Sequence, residues 1–152
     1  MPNLAVNKAA HFKYEILKTY EAGLVLTGAE VKSMKKGRAH LKGAYISFRN
    51  EEAYLINAHI SRYAPAGLQP DYDPRRPRKL LLTKKELRHL RGKAQEKGLT
   101  ILPLKVYTRR SFLKLSIGVA RSKSLHDKRQ SIKEKDVARS LHRKVKEQYR
   151  AR

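Results

Sequence analysis

The sequence of 152 residues contains no cysteine, so it has neither disulfides nor cysteine-ligated zinc, which is consistent with a cytoplasmic location. Its apolar residues come in short alternating runs, none long enough to span a bilayer. The first ten residues lack the apolar core of a secretory signal, so we expect none. Acidic residues are scarce as well, with 13 Asp and Glu against 36 Lys and Arg and a net charge of +23. This balance favours an anionic partner, either nucleic acid or an anionic membrane.

The common catalytic signatures are absent too. The sequence has no phosphate-binding P-loop, no G-x-G-x-x-G, no H-E-x-x-H and no G-x-S-x-G. The six histidines, at positions 11, 40, 59, 89, 126 and 142, show no metal-ligand spacing. Glu21 and Glu30 are the one conceivable carboxylate pair, but a structural or RNA-contacting role is favoured for both. We therefore predict a protein that is not an enzyme and binds no metal or cofactor.

Alternating apolar and polar residues predict five or six antiparallel strands between residues 13 and 120. The first runs from Tyr14 to Leu26, with Gly23 as a bulge or bend. Two hairpins follow, one turning near residues 50–52 and one at 108–111, and Pro103 indicates an edge strand or a bulge. Residues 1–12 are interpreted as a polar lead-in.

Two capping boxes predict short helices among the strands. They begin at Thr27 and Thr83, with Glu30 and Glu86 at the third helical positions, and glycines 37 and 98 are the expected stops. The predicted fold is mainly β: a small closed antiparallel barrel resembling an OB-fold, with two or three short helices. Closure removes the exposed strand edges.

The stretch from Asp73 to Leu82 combines two prolines, four cations and three consecutive leucines. The prolines exclude a central strand, and four cations are costly to bury without partners. We expect an exposed basic loop that is anchored by buried leucines and presented to a polyanion. The long segment 64–77 is predicted to be irregular.

Residues 121–152 form a distinct C-terminal tail with 12 Lys and Arg against 4 acids. A helix is permitted there, but its apolar stripe is thin. Burying four such side chains yields about 8 kcal/mol, whereas ordering the segment costs about 30 kcal/mol. We predict a barrel domain at 1–120 and a tail at 121–152 that is disordered when free and helical when bound; a helix docked on the barrel is the alternative.

Specific strings resemble the SmpB (SsrA-binding protein) family. Tyr20-Glu21-Ala22-Gly23 and Gly28-Ala29-Glu30-Val31-Lys32-Ser33 match its signature. Further family motifs follow in the same order, namely Asp73-Pro74, Arg78-Lys79-Leu80-Leu81-Leu82, Lys97-Gly98, Pro103-Leu104, Ile117-Gly118-Val119-Ala120 and Asp127-Lys128-Arg129. The linker at 121–124 departs from the family pattern by losing one glycine and one lysine.

The resemblance implies a role in bacterial trans-translation. The barrel would bind the tRNA-like domain of transfer-messenger RNA and, with elongation factor EF-Tu, deliver it to a stalled ribosome in place of an anticodon arm. The tail would probe the decoding centre and fold in the empty message channel. A free monomer with no membrane partner is expected.

Residue roles follow from the family positions and from charge. The candidate transfer-messenger RNA contacts are Asn7, Lys8, Tyr20, Glu21, Lys32, Arg75, Arg76, Arg78, Lys79 and Leu81. The candidate contacts to the decoding centre and message channel are Lys123, His126, Asp127, Lys128, Arg129, Ile132, Lys133, Glu134, Lys135 and Val145. Two rival hypotheses stay open at this point: a general ribosomal or single-strand RNA-binding OB-fold protein, and a nuclease.

Overall fold

The computed structural model describes residues 3–67, 70–123 and 139. Those residues form nine strands, three α-helices and one 3₁₀ turn. The elements follow in the order β1 (Asn3–Val6), α1 (Lys8–Lys13), β2 (Tyr14–Leu24), α2 (Gly28–Lys35), β3 (Ala39–His40), β4 (Tyr45–Arg49), β5 (Glu52–Ile56), β6 (His59–Ile60), the 3₁₀ turn (Ala64–Ala66), β7 (Arg78–Leu81), α3 (Lys84–Gln95), β8 (Leu99–Arg109) and β9 (Phe112–Ser122). The mainly β prediction is confirmed.

The main sheet has seven antiparallel strands in the order β1-β8-β9-β2-β7-β5-β4. Its outer strands, β1 and β4, do not pair with each other in the described part of the chain, so the prediction of a closed barrel is wrong. The separate two-stranded sheet β3-β6 lies beside β1, and α2 contacts both β1 and β6. The edge strand β1 is short and has β3 and α2 against it, which protects that edge without a pairing partner.

At two β-bulges, the side chains of the main sheet change from packing in one hydrophobic cluster to packing in another. The pairing of β2 with β9 slips between Ile16 and Lys18, and that of β8 with β9 slips between Pro103 and Lys105. Each slip moves the following side chains to the other face of the sheet. Ile16 therefore packs in a small cluster under α1, whereas Tyr20 packs against the main core.

Strand pairing and backbone angles decide three predictions about the strands. The bulge of β2 lies at residue 17, because Gly23 pairs regularly with both neighbouring strands. The bulge predicted from Pro103 is confirmed, but β8 is an internal strand that pairs with β1 and β9. The strand predicted through residues 54–60 breaks at Asn57, whose φ is 64°, so that Ala53 and Leu55 are buried in β5.

Local signals placed the turns and helix ends correctly. Asn50 and Glu51 turn the β4–β5 hairpin, and Arg110 and Ser111 turn the β8–β9 hairpin, all with positive φ as two-residue hairpin turns require. Both predicted capping boxes are present. Gly37 and Gly98 follow the helices with φ of 76° and 85°.

The N-terminal segment was wrongly interpreted as a polar lead-in. Residues 3–13 form β1 and α1, and Ala10 of α1 is buried against β8 and β9. The side-chain amide of Asn7 donates to the Pro103 carbonyl over 2.9 Å, and its backbone N–H donates to Leu104 over 2.8 Å. These two bonds tie the start of α1 to the bulge in β8.

The boundary with the tail also shifts. The prediction began the tail at residue 121, but Arg121 and Ser122 continue β9 and pair with β2. Lys123 follows the strand, with its backbone N–H donating to Lys13 and its ammonium donating to the His11 carbonyl, each over 2.9 Å. The rest of the predicted tail lies outside the described residues, apart from position 139.

Candidate nucleic-acid interface

The basic loop is held by a buried ion pair between α2 and β7. Arg78 donates from Nε and Nη2 to the Glu30 carboxylate over 2.9 and 2.5 Å, and both side chains are within 1% of complete burial. Its remaining Nη1 donates to the carbonyls of Ala58 and Pro74. The expectation that all four cations of this stretch are exposed is therefore wrong for Arg78, because Glu30 supplies the partner that makes burial tolerable.

Glu30 has further partners that keep it ionised. The Arg76 guanidinium and the Tyr72 hydroxyl also donate to its carboxylate, and the Thr27 backbone N–H donates over 3.0 Å. Burial by itself would raise the pKa of Glu30, but the hydrogen bonds from Arg76, Thr27 and Arg78 outweigh it and lower the pKa. This carboxylate is the centre of a structural hydrogen-bond network, and among the described residues it shares no hydrogen-bond partner with Glu21.

Successive side chains of β7 point to opposite faces of the sheet, and this determines which of them are exposed. Arg78 and Leu80 point inward, while Lys79 and Leu81 point to the other face, where Leu81 keeps 54% of its surface exposed. The expectation that all three leucines are inside is therefore wrong for Leu81. Its exposure is compatible with the RNA-linked role that the family resemblance implies.

Neighbouring strands extend this exposed surface, which we call the open face. It is the side of β5, β7, β2, β9 and β8 turned away from the main core, and it comprises Tyr54, Lys79, Leu81, Glu21, Gly23, Lys114, Ser116, Lys105, Tyr107 and Arg109. Gly23 pairs with Leu81 on one side and with Lys114 on the other. Because glycine has no side chain, the open face has a shallow depression at this position.

Glu21 lies within a hydrogen-bonded group on the open face. The Tyr107 hydroxyl donates to its carboxylate, and Arg109 Nη1 lies 3.1 Å from it. The hydrogen bond from Tyr107 is the main reason why the pKa of Glu21 is lowered, with Arg109 adding to the effect. Burial and the same hydrogen bond raise the pKa of Tyr107 to about 12. Glu21 is thus a fixed, ionised acceptor among cations.

A second group stands at the β5–β7 end of the open face. Lys79 Nζ lies 3.0 Å from Glu52, and the Tyr54 hydroxyl donates to the same carboxylate. The Tyr54 bond and the Lys79 bond lower the pKa of Glu52, and the bond to Glu52 raises the pKa of Lys79. With Lys105, Arg109 and Lys114, the cations on and beside this face outnumber the two carboxylates, which gives a surface suited to phosphates.

The structure separates the ten sequence-predicted RNA residues into groups. Glu21, Lys79 and Leu81 come together on the open face. The others lie at different places: Asn7 and Lys8 at the start of α1, Lys32 exposed on α2, Arg75 and Arg76 on the loop before β7, Arg78 in the core and Tyr20 on the opposite side of β2. Arg75 is exposed and donates to the Asn57 side chain over 2.8 Å.

Sequence reasoning missed the part of the open face that β8 and β9 provide. Lys105 and Arg109 are exposed, the buried Tyr107 lies between them on the same face, and Lys114 follows across the hairpin. The alternation that predicted the hairpin could also have revealed this surface, because the residues between the apolar ones must share one face of the sheet.

Of the residues predicted to reach the decoding centre and message channel, Lys123 alone falls within the described segments. The remaining nine, which are His126, Asp127, Lys128, Arg129, Ile132, Lys133, Glu134, Lys135 and Val145, lie outside them. Within the described part of the chain, no group of three or more His, Asp or Glu side chains could hold a metal ion. The same residues include no helix that could span a bilayer.

Comparison with known proteins identifies the family. The family model described as SmpB protein matches residues 4–147. The SsrA-binding protein of Gloeothece citriformis is 52% identical over 140 residues, which cover 92% of this chain and 90% of the relative. That of Acaryochloris marina is 50% identical over 140 residues, covering 92% and 91% of the two chains.

A solved structure agrees with these relatives. It is described as "tmRNA-SmpB: a journey to the center of the bacterial ribosome", and one of its chains superposes on this protein with a TM-score of 0.65 and 44% sequence identity. The match covers 84% of this chain and 92% of the other. By sequence over nearly its whole length and by fold, the chain belongs to the SmpB family.

Proposed function

We propose that this protein is a non-catalytic RNA-binding adaptor of trans-translation that binds the tRNA-like domain of transfer-messenger RNA through its open face. The observation that carries the proposal is the convergence of Glu21, Lys79 and Leu81 on one cationic surface of a chain that belongs to the SmpB family. Relatives named SsrA-binding protein and a neighbour described as tmRNA-SmpB in the ribosome support the choice of RNA.

The chemistry of the open face suits a folded RNA better than a small substrate. Glu21 offers an ionised carboxylate to base or sugar donors, and Leu81 beside Gly23 offers a flat apolar contact for an unstacked base. Lys79, Lys105 and Lys114 surround these groups and neutralise phosphates. In this arrangement the side chains bind and orient RNA, and none is required to carry out a reaction.

The finer parts of the proposal concern the ribosome. The complex with transfer-messenger RNA and EF-Tu enters stalled ribosomes in the cytoplasm, the free protein is a monomer, and the tail reads the decoding centre and the vacant message channel. Tagging of incomplete peptides follows. Charge supports this assignment, since the tail contributes +8 of the net +23.

A pair of matched substitutions tests the open face. Leu81→Asp places a negative charge beside Gly23, and Leu17→Asp makes the same change at an exposed leucine on the β2 bulge, six residues before Gly23. Binding of labelled tRNA-like domain RNA is measured by fluorescence anisotropy at fixed salt. We expect Leu81→Asp to weaken binding at least about 10-fold and Leu17→Asp less than about 2-fold, because a lost stacking or base contact is worth about 1–3 kcal/mol. Equal losses in the two variants would contradict the assignment.

Truncation separates the adaptor from a general RNA-binding protein. Removing the residues after Lys123 keeps β9 intact, so we expect tRNA-like domain binding to persist while tagging on stalled ribosomes is abolished. A protein that loses RNA binding on this truncation would favour the general RNA-binding hypothesis. If the wild-type complex forms about 6–10 phosphate contacts, its affinity falls about 10³–10⁵-fold between 50 and 200 mM salt.

A further inference from the structure

The bulge in β8 decides which side chains this strand contributes to the open face. The pairing of β8 with β9 skips Leu104, which is the extra residue of the bulge. A shift of one residue exchanges the two faces of a strand. Val106 is consequently buried in the main core, whereas Lys105 and Tyr107 lie on the open face. Whatever holds the bulge in place therefore also holds these two side chains on that face.

Asn7 holds this bulge from the end of the neighbouring strand β1. Its backbone N–H donates to the Leu104 carbonyl over 2.8 Å, and its side-chain amide donates to the Pro103 carbonyl over 2.9 Å. Successive carbonyls of a regular strand point to opposite neighbours, so one residue can bind both only where an extra residue is inserted. Because the chain begins α1 at Lys8, a side chain supplies the second donor in place of a further strand residue.

Tyr107 extends from β8 across β9 to reach Glu21 on β2. Tyr107 pairs with Lys114 of β9, and Glu21 pairs with Ser116 of the same strand, two residues further along. The Tyr107 side chain is only 9% exposed, and its hydroxyl donates to the Glu21 carboxylate, which remains 34% exposed. A phenol whose ring is fixed by burial gives its hydrogen bond a fixed direction. Tyr107 therefore determines how the exposed part of the Glu21 carboxylate is oriented.

The other neighbours of Glu21 fix it less firmly. Arg109 Nη1 lies 3.2 and 3.1 Å from the two carboxylate oxygens, but the Arg109 side chain is 52% exposed. An exposed arginine loses rotamer freedom when it is held in one geometry, which offsets much of what the ion pair gains. The buried Tyr107 is thus the main support of the carboxylate. Lys105 Nζ lies 5.6 Å from the centroid of the same ring, which also orients a cation beside Glu21.

We propose that Asn7 and Tyr107 are positioning residues of the RNA-binding surface. Asn7 holds the bulge of β8, the bulge turns Tyr107 onto the open face, and Tyr107 orients the Glu21 carboxylate toward base or sugar donors of the RNA. Asn7 then contributes to RNA affinity through Glu21, without a contact of its own to the RNA. The inference rests on the proposed function in taking the open face to be the surface that binds RNA.

The first test uses the full chain without RNA, where a residue that only contacts RNA has no effect. Asn7→Ala removes the amide donor but no helix cap, because the Asn7 side chain forms no capping bond to α1 in the described structure. We expect carboxyl NMR titration to show the pKa of Glu21 rising in this variant, because the Tyr107 bond that lowers it is weakened. Backbone amide signals of residues 105–107 should move as well. The matched control, His11→Ala, shortens an exposed side chain one turn further along α1 and should leave both readouts unchanged.

The second test is a double-mutant cycle on the affinity for labelled tRNA-like domain RNA, measured by fluorescence anisotropy at fixed salt. Asn7→Ala and Tyr107→Phe should each weaken binding about 10-fold, the loss expected when one hydrogen bond to a charged group is removed. Because Asn7 acts through Tyr107, the double variant should also lose about 10-fold, whereas two independent contacts would lose about 100-fold.

The two tests separate the positioning role from a direct contact. An unchanged Glu21 titration in Asn7→Ala, or a double variant that loses the full product of the single effects, would overturn the inference. If Asn7→Ala does not fold, Asn7→Ser replaces it, since serine is favoured at a helix start and is too short to reach Pro103. Failure of the wild-type protein to bind tRNA-like domain RNA would overturn the proposed function, while the titration without RNA still decides whether Asn7 controls Glu21.

Discussion

Replacing Glu30 by Gln tests the buried ion pair that anchors the basic loop. The substitution keeps the size of the side chain and one capping oxygen, but it removes the charge that faces Arg78. Arg78 has no exposed surface, and two of its N–H groups donate to one Glu30 oxygen. An amide presents either a weaker acceptor or a competing donor to that guanidinium, which stays buried and positively charged.

The expected cost is large for a single substitution. Breaking a buried pair by removing one partner typically costs about 3–5 kcal/mol, because the remaining charge has no compensation. With a urea m-value of about 2 kcal/mol/M, the unfolding midpoint falls by roughly 1.5–2.5 M. Circular dichroism during urea titration measures this shift directly.

Two further variants make the result specific. Adding Arg78→Met to Glu30→Gln removes the stranded charge, so the double variant should cost clearly less than the sum of the two single changes. Glu52→Gln breaks the exposed pair with Lys79 and should leave the midpoint unchanged within error. A loss below about 1 kcal/mol for Glu30→Gln would refute the structural role assigned to this pair.

Three other expectations concern the core and the titrating groups. Burial lowers the pKa of His59, and the nearby His40, Arg75 and Arg78 add to this effect. Because His59 binds a proton more readily in the unfolded state, the stability of the protein falls as the pH drops below about 6.5. His59→Phe should flatten that part of a curve of stability against pH. Gly118→Ala puts a methyl 3.1 Å from the buried Leu104 side chain and should cost about 1 kcal/mol by thermal unfolding. Tyr107→Phe removes the main hydrogen bond that lowers the pKa of Glu21, so carboxyl NMR titration should show that pKa rising.

Features decided by a few neighbouring residues were predictable from the sequence. Both capping boxes and their glycine stops are present, because a cap needs only residues three or four apart. The β8–β9 hairpin follows from the alternation of Leu113, Leu115 and Ile117, all of which are buried. These signals fixed the element types and the mainly β fold.

Features decided by distant partners were not predictable in the same way. Arg78 was interpreted as exposed because a lone buried cation is costly, and its compensating carboxylate is 48 positions earlier in the chain. The bulge at residue 17 shifts the alternation of β2 by one residue, which no local pattern shows, whereas Pro103 indicated the bulge in β8. The start of α1 depends on a bond from Asn7 to Pro103, 96 positions away.

The anchoring pair and the open face are two sides of one short strand. Since Arg78 and Leu80 are held in the core, Lys79 and Leu81 are forced outward beside Gly23. The Glu30 carboxylate therefore determines the positions of Lys79 and Leu81, although it lies on the opposite side of β7 from them. It follows that a change at Glu30 lowers RNA affinity by displacing β7, whereas a change at Leu81 lowers it by removing a contact and leaves the unfolding midpoint in place. Measuring both quantities for both variants separates a residue that positions the RNA surface from one that forms it.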